Sequence, residues 1–339
     1  MRTLVSSTLR LLRVLTFGSI LCSALNLLPL RFWLIELNRA FSLYYLFFHL
    51  CALLLVMLMG RIFLPRFGIT SLLLAGLSLY YAAALRPFYF APSRVDQNTP
   101  AEEPFRLKLL YANLLRENPH KTAFKELIAA QQADLVMLLE LTPEWSKSLA
   151  MEEYYPFRHE ILSAGYFGLG LYSKFPLGEK IVENLGDFTP PVIIAEVDAG
   201  RGGVFEVVLF HAWPPLSAGA WDGHFATHRR VLMHVKHSAK ELIMAADFNA
   251  TPFASVYRAM LGHGRLQNAM HGFGLLRTWQ AQYWYLRFTI DHVLYRGNFV
   301  VDSFERLPAT GSDHFPLLVQ FRRTQGLAVE ADEELPFER

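Results

Sequence analysis

The sequence predicts an α/β protein, built as a two-sheet sandwich and preceded by a helical membrane region. Residues 1–90 are dominated by Leu, Phe, Ala and Tyr, whereas the rest of the 339-residue chain has an ordinary globular composition. In that second part many short apolar strands alternate with turn residues, and few helical patterns lie between them. This arrangement is typical of two packed sheets rather than of a strictly alternating βαβ sheet.

Three apolar segments lie near residues 14–30, 41–60 and 69–85. A helix needs about 20 apolar residues to cross the hydrocarbon core of a bilayer. The second segment meets this length alone, and the other two meet it with flanking residues. The region therefore predicts three spans, with two spans and an interfacial helix as the alternative. A signal peptide fits the first segment less well, because no clear cleavage site follows it.

Charge divides the chain at Arg94. The first part holds nine Arg, no Lys and one acid, Glu36, for a net charge of +8, whereas the remainder carries −6. Proteins that bind long nucleic acid through its phosphates usually have a basic catalytic domain, so this balance counts against a nuclease. Bound divalent metal would reverse the sign locally.

The Arg residues also bear on orientation. With three spans, five of them fall on the side of the N-terminus and four on the other side. This favours a multi-pass protein of the cell (inner) membrane with a cytoplasmic N-terminus and its globular domain on the periplasmic or extracellular side. The expected organisation is a transmembrane region at 1–90, a polar linker at 91–104, a catalytic domain at 105–322 and a disordered acidic tail at 323–339.

Periodicity and turn residues predict the elements of the globular part. Strands are expected over 106–112, 134–139, 166–173, 192–198, 204–210, 242–246, 289–295, 300–306 and 316–321, and helices over 121–132 and 227–238. A cluster of basic residues near the second helix is interpreted as a solvated face with one phosphate-contacting Arg, and not as a zinc site. Its members are His224, His228, Arg229, Arg230, His234 and His237.

Most of these strands stop at a polar residue suited to metal or phosphate chemistry. The endings are Asn113, Glu140, His211, Asp247 with Asn249, Asp291 with His292, and Asp313 with His314. Any single one is explained equally well as a cap or turn residue. Six in one domain indicate a site, because open α/β sheets gather such residues at one end of their strands.

The clearest ending is the stretch IMAADFNATP at 243–252. Asp247 and Asn249 are two residues apart on an extended segment, so their side chains project to the same side. A carboxylate and a carboxamide there form an oxygen-rich corner that is able to hold a hard cation and orient a nucleophile. His292, next to Asp291, is expected to point to the other face and to be packed.

In this order the motifs resemble the endonuclease/exonuclease/phosphatase superfamily, which includes pancreatic deoxyribonuclease, exonuclease III, the bacterial and neutral sphingomyelinases and the inositol polyphosphate 5-phosphatases. The resemblance covers about 105–322 and rests on Asn113, DLVMLLE, LFHAWPP, AADFNATP, IDHVL and GSDHFPL, with GLGLYSK at 168–174 as a structural strand. It implies a four-layer α/β sandwich. His211 stands where the abasic-site nucleases carry Tyr, and Ala246 replaces the usual Gly.

The resemblance also implies a metal site. Glu140 is expected to be the main ligand of Mg²⁺, with Mn²⁺ as a substitute, and Asn113 to lie beside it. Asp313 is expected to ligate or help position a metal. Mg²⁺ prefers carboxylate, amide and water oxygens, which fits these residue types.

The remaining residues are implied to act on water and phosphate. Asp247 would orient or deprotonate the attacking water, and Asn249 would hold that water or a phosphate oxygen. His314 would contact the scissile phosphate or exchange a proton, with Asp291 fixing its tautomer. His211 would donate to a phosphate oxygen or to the leaving group.

The expected function is a membrane-anchored, Mg²⁺-dependent phosphodiesterase or phosphatase acting on a lipid headgroup or another small phosphodiester. The alternatives are a surface or periplasmic nuclease and an inactive membrane scaffold. Aromatic residues beside the motifs fit loop packing, base stacking or contact with a bilayer surface. They are Trp213, Trp221, Phe253, Trp279, Tyr283, Trp284 and Tyr285. The expected partners are a phosphoester (lipid, small molecule or nucleic acid) and the bilayer; no protein partner is indicated.

Overall fold

The computed structural model of the protein describes residues 2–59, 67–90, 104–178, 181–182 and 189–323. The predicted linker at 91–104, except Pro104, and the predicted tail at 323–339, except Arg323, lie outside the described residues.

The N-terminal region is helical. Its helices are α1 (Arg2–Leu27), α2 (Trp33–Ala40), α3 (Ser42–Met59) and α4 (Phe67–Phe90). Three of them contain stretches long and apolar enough to cross a membrane, namely Ser6–Leu27, Ser42–Met59 and Gly68–Phe90. The second agrees with the predicted segment at 41–60 to within one residue. The first begins at Ser6 and ends at Leu27 rather than spanning 14–30, and the third continues to Phe90 rather than ending at residue 85.

The short helix α2 was not predicted. It buries Glu36 and Arg39, which form an ion pair one helical turn apart. The Arg39 guanidinium also donates to the backbone oxygens of Leu28 (2.6 Å) and Leu30 (3.3 Å), just beyond the end of α1. Buried charges are tolerated only when paired and hydrogen-bonded, so these contacts fix α2 against the end of the first span.

The globular part follows in chain order. Its elements are β1 (Arg106–Asn113), α5 (Lys121–Gln131), β2 (Leu135–Leu139), α6 (Pro143–Leu149), β3 (Phe157–Ile161), β4 (Leu169–Ser173), β5 (Ile181–Val182), β6 (Val192–Asp198), β7 (Val204–His211), α7 (Ala218–His237), β8 (Leu242–Asp247), α8 (Ser255–Gly262), β9 (Gln267–Asn268), β10 (Asp291–Arg296), β11 (Phe299–Arg306) and β12 (Leu317–Arg323).

The strands form two six-stranded mixed sheets. Sheet one has the order β11-β12-β1-β2-β4-β3, and sheet two has the order β5-β6-β7-β8-β10-β9. Alternate residues of each strand face opposite sides. On β1, Leu109 faces the other sheet and Leu110 faces the helices α5 and α6. On β8, Ile243 faces the other sheet and Met244 faces α7 and α8. The four layers are therefore helix, sheet, sheet and helix, as the family resemblance implied.

The predicted boundaries differ from the structure in two places that matter for the site. Helix α7 begins at Ala218, not at residue 227, because the Ser217 side chain caps it by accepting the backbone N–H of Ala220 at 3.2 Å. Strand β4 begins at Leu169, not at residue 166. At Gly168 the chain passes so close to Leu141 that an added Cβ would lie 2.1 Å from its carbonyl oxygen.

The interpretation of the basic cluster near α7 as a solvated face is wrong for three of its six members, whereas Arg229 and His237 are exposed. His224 and His228 are buried, and so is Arg230. Their positions fall on the side of α7 that packs on sheet two, and the ring of His228 lies 5.6 Å from that of Phe210. Burial lowers the pKa of His224 to about 4 and holds the pKa of His228 well below its usual value, so both are neutral at pH 7.

Candidate functional site

Three neighbouring strands of sheet two bring His211, Asp247 and Asp291 side by side. His211 on β7 pairs with Asp247 on β8, and Asp247 pairs with Asp291 on β10. Cross-strand partners project to the same face. That face is the one turned toward sheet one, because Leu209, Ala245 and Val293, two residues along each strand, lie in the core between the sheets.

Sheet one brings Asn113 and Glu140 to the same end of the sandwich. Asn113 ends β1 on the inner face, two residues after Tyr111. Glu140 follows β2, and simple alternation from Leu139 would turn it outward. Its φ of +58° breaks the extended conformation at this residue. The amide of Asn113 then donates to Oε1 of Glu140 at 3.1 Å.

His314 is held by Asp291. Its Nδ1 lies 2.9 Å from Oδ2 of Asp291, and the other carboxylate oxygen of Asp291 accepts the Tyr111 hydroxyl at 2.8 Å. The opposite ring nitrogen of His314, Nε2, lies 3.7 Å from Oδ2 of Asp247. The carboxylate therefore fixes the orientation of the imidazole, and Nε2 is directed at the Asp247 side of the site.

His211 contacts Asp247 more closely. Its Nδ1 donates to the backbone oxygen of Tyr166 at 3.0 Å, so Nε2 faces Oδ2 of Asp247 at 3.3 Å. The other oxygen of Asp247 accepts the backbone N–H of Asn249 at 2.8 Å. Asp247 is thus surrounded by donors although it is only 1% exposed.

Asn249 adopts a left-handed backbone conformation with φ of +47°. Asn tolerates this region better than most residues. The turn lets its backbone N–H reach Asp247 while its side-chain amide donates to the backbone oxygen of Ala212 at 2.9 Å. Glu140 and Asn249 are therefore two non-glycine residues at the site with left-handed backbones, a feature that clusters at functional sites.

The carboxylates raise the pKa of both histidines of this cluster. Burial alone would lower the pKa of His314, but Asp291 and Asp247 outweigh it and raise that pKa to about 10. Burial opposes Asp247 in the same way at His211, whose pKa is also raised, with Glu140 contributing. The pKa of Asp247 is lowered because His211 and His314 outweigh the effect of burial. His314 is therefore an imidazolium at neutral pH, and the charged form of His211 is favoured by the same carboxylates.

His292 differs from His211 and His314 in its position and in the direction of its pKa shift. Its side chain lies on the helix side of sheet two, where Nε2 is 2.8 Å from the backbone oxygen of Ala250. Burial lowers its pKa to about 4. The expectation that it is packed on the other face from Asp291 is confirmed.

Asp313 is held by an aromatic residue. Its Oδ2 accepts the indole N–H of Trp279 at 2.8 Å, and the Trp279 ring lies 6.4 Å from that of His314. Asp313 follows Ser312, whose hydroxyl donates to the backbone oxygen of Asn113 at 2.8 Å and accepts the His314 N–H at 3.0 Å. Ser312 thereby ties the segment that carries His314 to the end of β1.

Two arrangements of the described residues bear on metal binding. Ligand atoms of Asp247, Asp291 and His314 lie within 4.8 Å of one another, close enough to hold an ion. They already contact one another, however, so a metal ion there would have to displace the proton that His314 shares with Asp291. Glu140 accepts only the Asn113 amide and the Arg116 backbone N–H (3.0 Å), which leaves about half of its lone-pair positions for a hard cation.

Several residues that build the site were not identified from the sequence. Tyr111 orients Asp291, Ser312 orients His314, and the backbone of Tyr166 orients His211. For Tyr111 a signal was present, since it lies two residues before Asn113 on the same strand face. The contacts of Ser312 and Tyr166 join segments far apart in the sequence, which no local pattern reveals.

Comparisons with known proteins agree with this fold. The profile of the Endonuclease/Exonuclease/phosphatase family matches residues 108–314. The catalytic domain of human Nocturnin superimposes with a TM-score of 0.54 at 19% identity, over 66% of this chain and 97% of that one. D. rerio TDP2 complexed with a single-strand DNA product gives 0.53 at 17% identity, over 64% and 98%. A mannosyl-6-phosphatase of Bacteroides thetaiotaomicron gives 0.50 at 17%, over 63% and 99%. No curated protein sequence matches the chain.

Proposed function

The chain belongs to the Endonuclease/Exonuclease/phosphatase family, and we propose that it is a membrane-anchored, Mg²⁺-dependent hydrolase that cleaves a lipid headgroup or another small phosphodiester. Members of this family are metal-dependent hydrolases of phosphoesters. The observation that carries the proposal is the meeting of two different charge arrangements at one end of the sandwich. An acid with free lone pairs, Glu140, comes from sheet one, and His211, Asp247 and Asp291 come from sheet two. His314, on the segment before β12 of sheet one, joins the second group through its contact with Asp291.

Glu140 is proposed as the main Mg²⁺ ligand. Its carboxylate oxygens are the donor type that Mg²⁺ prefers, and the ion keeps waters for its remaining positions. Asn113 turns its amide N–H toward Glu140, while its side-chain oxygen accepts the backbone N–H of Leu115 at 3.0 Å. We therefore propose that Asn113 orients Glu140. Bound Mg²⁺ supplies positive charge against the negative charge that develops on the phosphoryl oxygens.

Asp247 is proposed to orient the attacking water and accept its proton. The water is proposed to contact Oδ2, which faces both imidazoles, because Oδ1 is occupied by the Asn249 N–H. His314 and His211 then direct their Nε2 atoms at the phosphate oxygens or the leaving group. Asp291 keeps His314 in that tautomer and charge state. Asn249, held on the backbone of Ala212, is proposed to bind a phosphate oxygen or the water.

Anchorage in the cell (inner) membrane, with residues 105–322 as the catalytic domain on the periplasmic or extracellular side, is proposed from the three apolar helices and the Arg distribution. Arg39 is paired with Glu36 and adds no net charge to its side of the membrane. This raises the positive bias of the N-terminal side above the count of five against four. Phosphatase fusions after Arg94 test the orientation, and an inactive fusion would contradict it.

The direct test uses purified full-length protein in detergent and bis-p-nitrophenyl phosphate. We expect hydrolysis that needs Mg²⁺ and is supported by Mn²⁺. Asp247→Ala should lower the rate by about a thousandfold or more, because it removes the group that orients water. Asp222→Ala, at an acid on α7 outside the cluster, is the control and should keep full activity. Undiminished activity of Asp247→Ala would show that the site assignment is wrong.

A nuclease is the second candidate, because exposed aromatic side chains at 283–285 resemble a platform for stacking bases. The charge of −6 on the chain after Arg94 opposes binding of long nucleic acid. Plasmid nicking measured beside lipid turnover separates the two, and efficient nicking without lipid turnover would reject the lipid preference. An inactive scaffold is disfavoured because it has no need of a protonated His314 held between two carboxylates.

A further inference from the structure

The segments of sheet two that flank the site are seated on the N-terminal helices. After β8, the backbone N–H of Ser255 donates to Glu36 of α2 at 3.1 Å, and the ring of Phe253 lies 5.7 Å from that of Tyr81 of α4. Before β10, the backbone N–H of Gly274 donates to the Phe88 carbonyl near the end of α4 at 2.7 Å. The N-terminal helices therefore hold both the segment that follows β8 and the segment that precedes β10.

The strongest of these contacts fixes the loop before β10 to the first turn of α3. The hydroxyl of Tyr44 accepts the backbone N–H of Arg287 at 2.8 Å and lies 3.1 and 3.2 Å from the carbonyl oxygens of Arg287 and Tyr285. The rings of Phe41 and Tyr44 pack on Phe288 at 5.4 and 5.5 Å. The candidate span in α3 begins at Ser42. The loop therefore lies at the depth at which this span leaves the hydrocarbon core.

This loop exposes three consecutive aromatic side chains, which we call the aromatic rim (Tyr283–Tyr285). Tyr283, Trp284 and Tyr285 are 47%, 77% and 59% exposed. Exposed Trp is costly in water, whereas Trp and Tyr are enriched at the interface between lipid and water, where an apolar ring and a polar edge are both satisfied. Their depth beside α3 makes that interface the environment that fits them.

The aromatic rim is connected to the site by direct contacts. Phe288, which packs on α3, lies 5.9 Å from Trp279 between ring centroids, and the backbones of these two residues are hydrogen-bonded. Trp279 in turn donates to Asp313 and lies beside the ring of His314. The segment 279–288 therefore lies beside His314 at one end and contacts the start of α3 at the other.

We propose that the aromatic rim inserts into the headgroup region of the bilayer that holds the helices, so that the site takes phosphodiesters carried on amphiphiles in that membrane. This rests on the hydrolase function proposed above. The occupant of the surface is the bilayer, because the rim is continuous with helices whose exposed residues are apolar. A soluble substrate gains nothing from the rim, whereas an amphiphile is delivered by diffusion in the plane of the membrane.

Two matched substrates test the proposal: ethyl and hexadecyl p-nitrophenyl phosphodiesters, which share a leaving group and differ only in the alkyl chain. The full-length protein is reconstituted in phosphatidylethanolamine–phosphatidylglycerol vesicles, with the hexadecyl ester in the bilayer. We expect Trp284→Ala to lower turnover of the hexadecyl ester by about tenfold and to leave turnover of the ethyl ester within about twofold. Tyr154→Ala, at a residue 52% exposed between α6 and β3, is the control and should change neither.

Fluorescence gives an independent readout. In vesicles with lipids brominated near the headgroup, wild-type emission should be quenched, and Trp284→Phe should remove a quenched component. Equal loss of both esters in Trp284→Ala, or unchanged quenching in Trp284→Phe, would overturn the proposal. So would a selective loss of single-strand oligonucleotide cleavage, which would assign the rim to base stacking. Failure of the hydrolase function itself is distinguishable, because wild-type protein would then cleave neither ester.

Discussion

Sheet one and sheet two share the same central topology. In each, two parallel strands end side by side, β1 with β2 and β7 with β8, and antiparallel strands flank the pair. Each pair brings two polar residues to the site: Asn113 and Glu140 from sheet one, and His211 and Asp247 from sheet two. Beyond each pair a residue is in the left-handed conformation, Glu140 in one sheet and Asn249 in the other.

The difference between the sheets lies in what satisfies the carboxylate. Glu140 accepts an amide and a backbone N–H and has no histidine among its hydrogen-bond partners in the described chain. Asp247 faces two imidazoles, each within 4 Å. The same strand ending therefore carries its acid in two different electrostatic environments. Under the proposed function, the acid without a histidine partner suits a metal ion, and the acid beside two imidazoles suits proton transfer.

Two groups of site residues can be separated by variants: the proposed metal-binding group around Glu140 and the proposed proton-transfer group around Asp247. Among these variants, Glu140→Gln is expected to have the largest effect. It keeps the shape and removes the charge, so we expect kcat/KM at low Mg²⁺ to fall by at least about a hundredfold, with partial recovery in excess Mg²⁺. Glu144→Gln, at an exposed acid of α6, is the control. A loss that does not respond to Mg²⁺ would show that the metal is bound elsewhere, for instance at Asp247, Asp291 and His314.

Asp291→Asn tests the proposed proton-transfer role of His314. Asp291 raises the pKa of His314, which stands at about 10, so removing its charge should lower that pKa. If catalysis needs protonated His314, the basic limb of the pH–rate profile moves to lower pH and kcat/KM falls by about 10–100-fold. The shift of the imidazole proton signals with pH, measured by NMR on metal-free protein, reports the pKa directly.

The signals of neutral His292 are the internal reference in the same spectra, since its pKa is already lowered to about 4 by burial. An unchanged basic limb in Asp291→Asn, with a lowered His314 pKa, would show that the charge of His314 is not needed for catalysis.

Much of this arrangement was predictable from the sequence because it depends on local alternation. Two strands end in a polar residue after an apolar run, namely Leu209-Phe210-His211 and Ala245-Ala246-Asp247. Because side chains alternate along a strand, the polar residue lies on the same inner face as the apolar residue two positions before it. The strands at 192–198 and 242–246 were predicted to within one residue for the same reason. The three apolar N-terminal helices were predictable because their apolar length exceeds what a globular helix requires.

The rest depends on contacts between distant segments. The helical spacing of the α7 histidines did not reveal that His224 and His228 lie on the buried side, because His is compatible with either environment. Helix α2 was too short and too mixed to stand out, and its buried pair of Glu36 and Arg39 is stable only against the end of α1. The left-handed backbone of Glu140 was not predictable from its own propensity, and it directly precedes Leu141, which approaches the distant Gly168 closely.

Asp313→Asn has the smallest expected effect. It decides whether Asp313 is a metal ligand or only positions its neighbours. An Asn at this position still accepts the Trp279 indole N–H, so as a positioning residue it should lose only about two- to fivefold in kcat/KM, with no change in Mg²⁺ dependence. Trp279→Phe removes the hydrogen bond that Asp313→Asn retains, so for a positioning role its loss should be equal or larger but remain mild. If Asp313 is a metal ligand, Asp313→Asn instead resembles Glu140→Gln, with a deep loss that excess Mg²⁺ partly restores, while Trp279→Phe stays mild. The pair of variants therefore separates a carboxylate needed for its charge from one needed only as an acceptor.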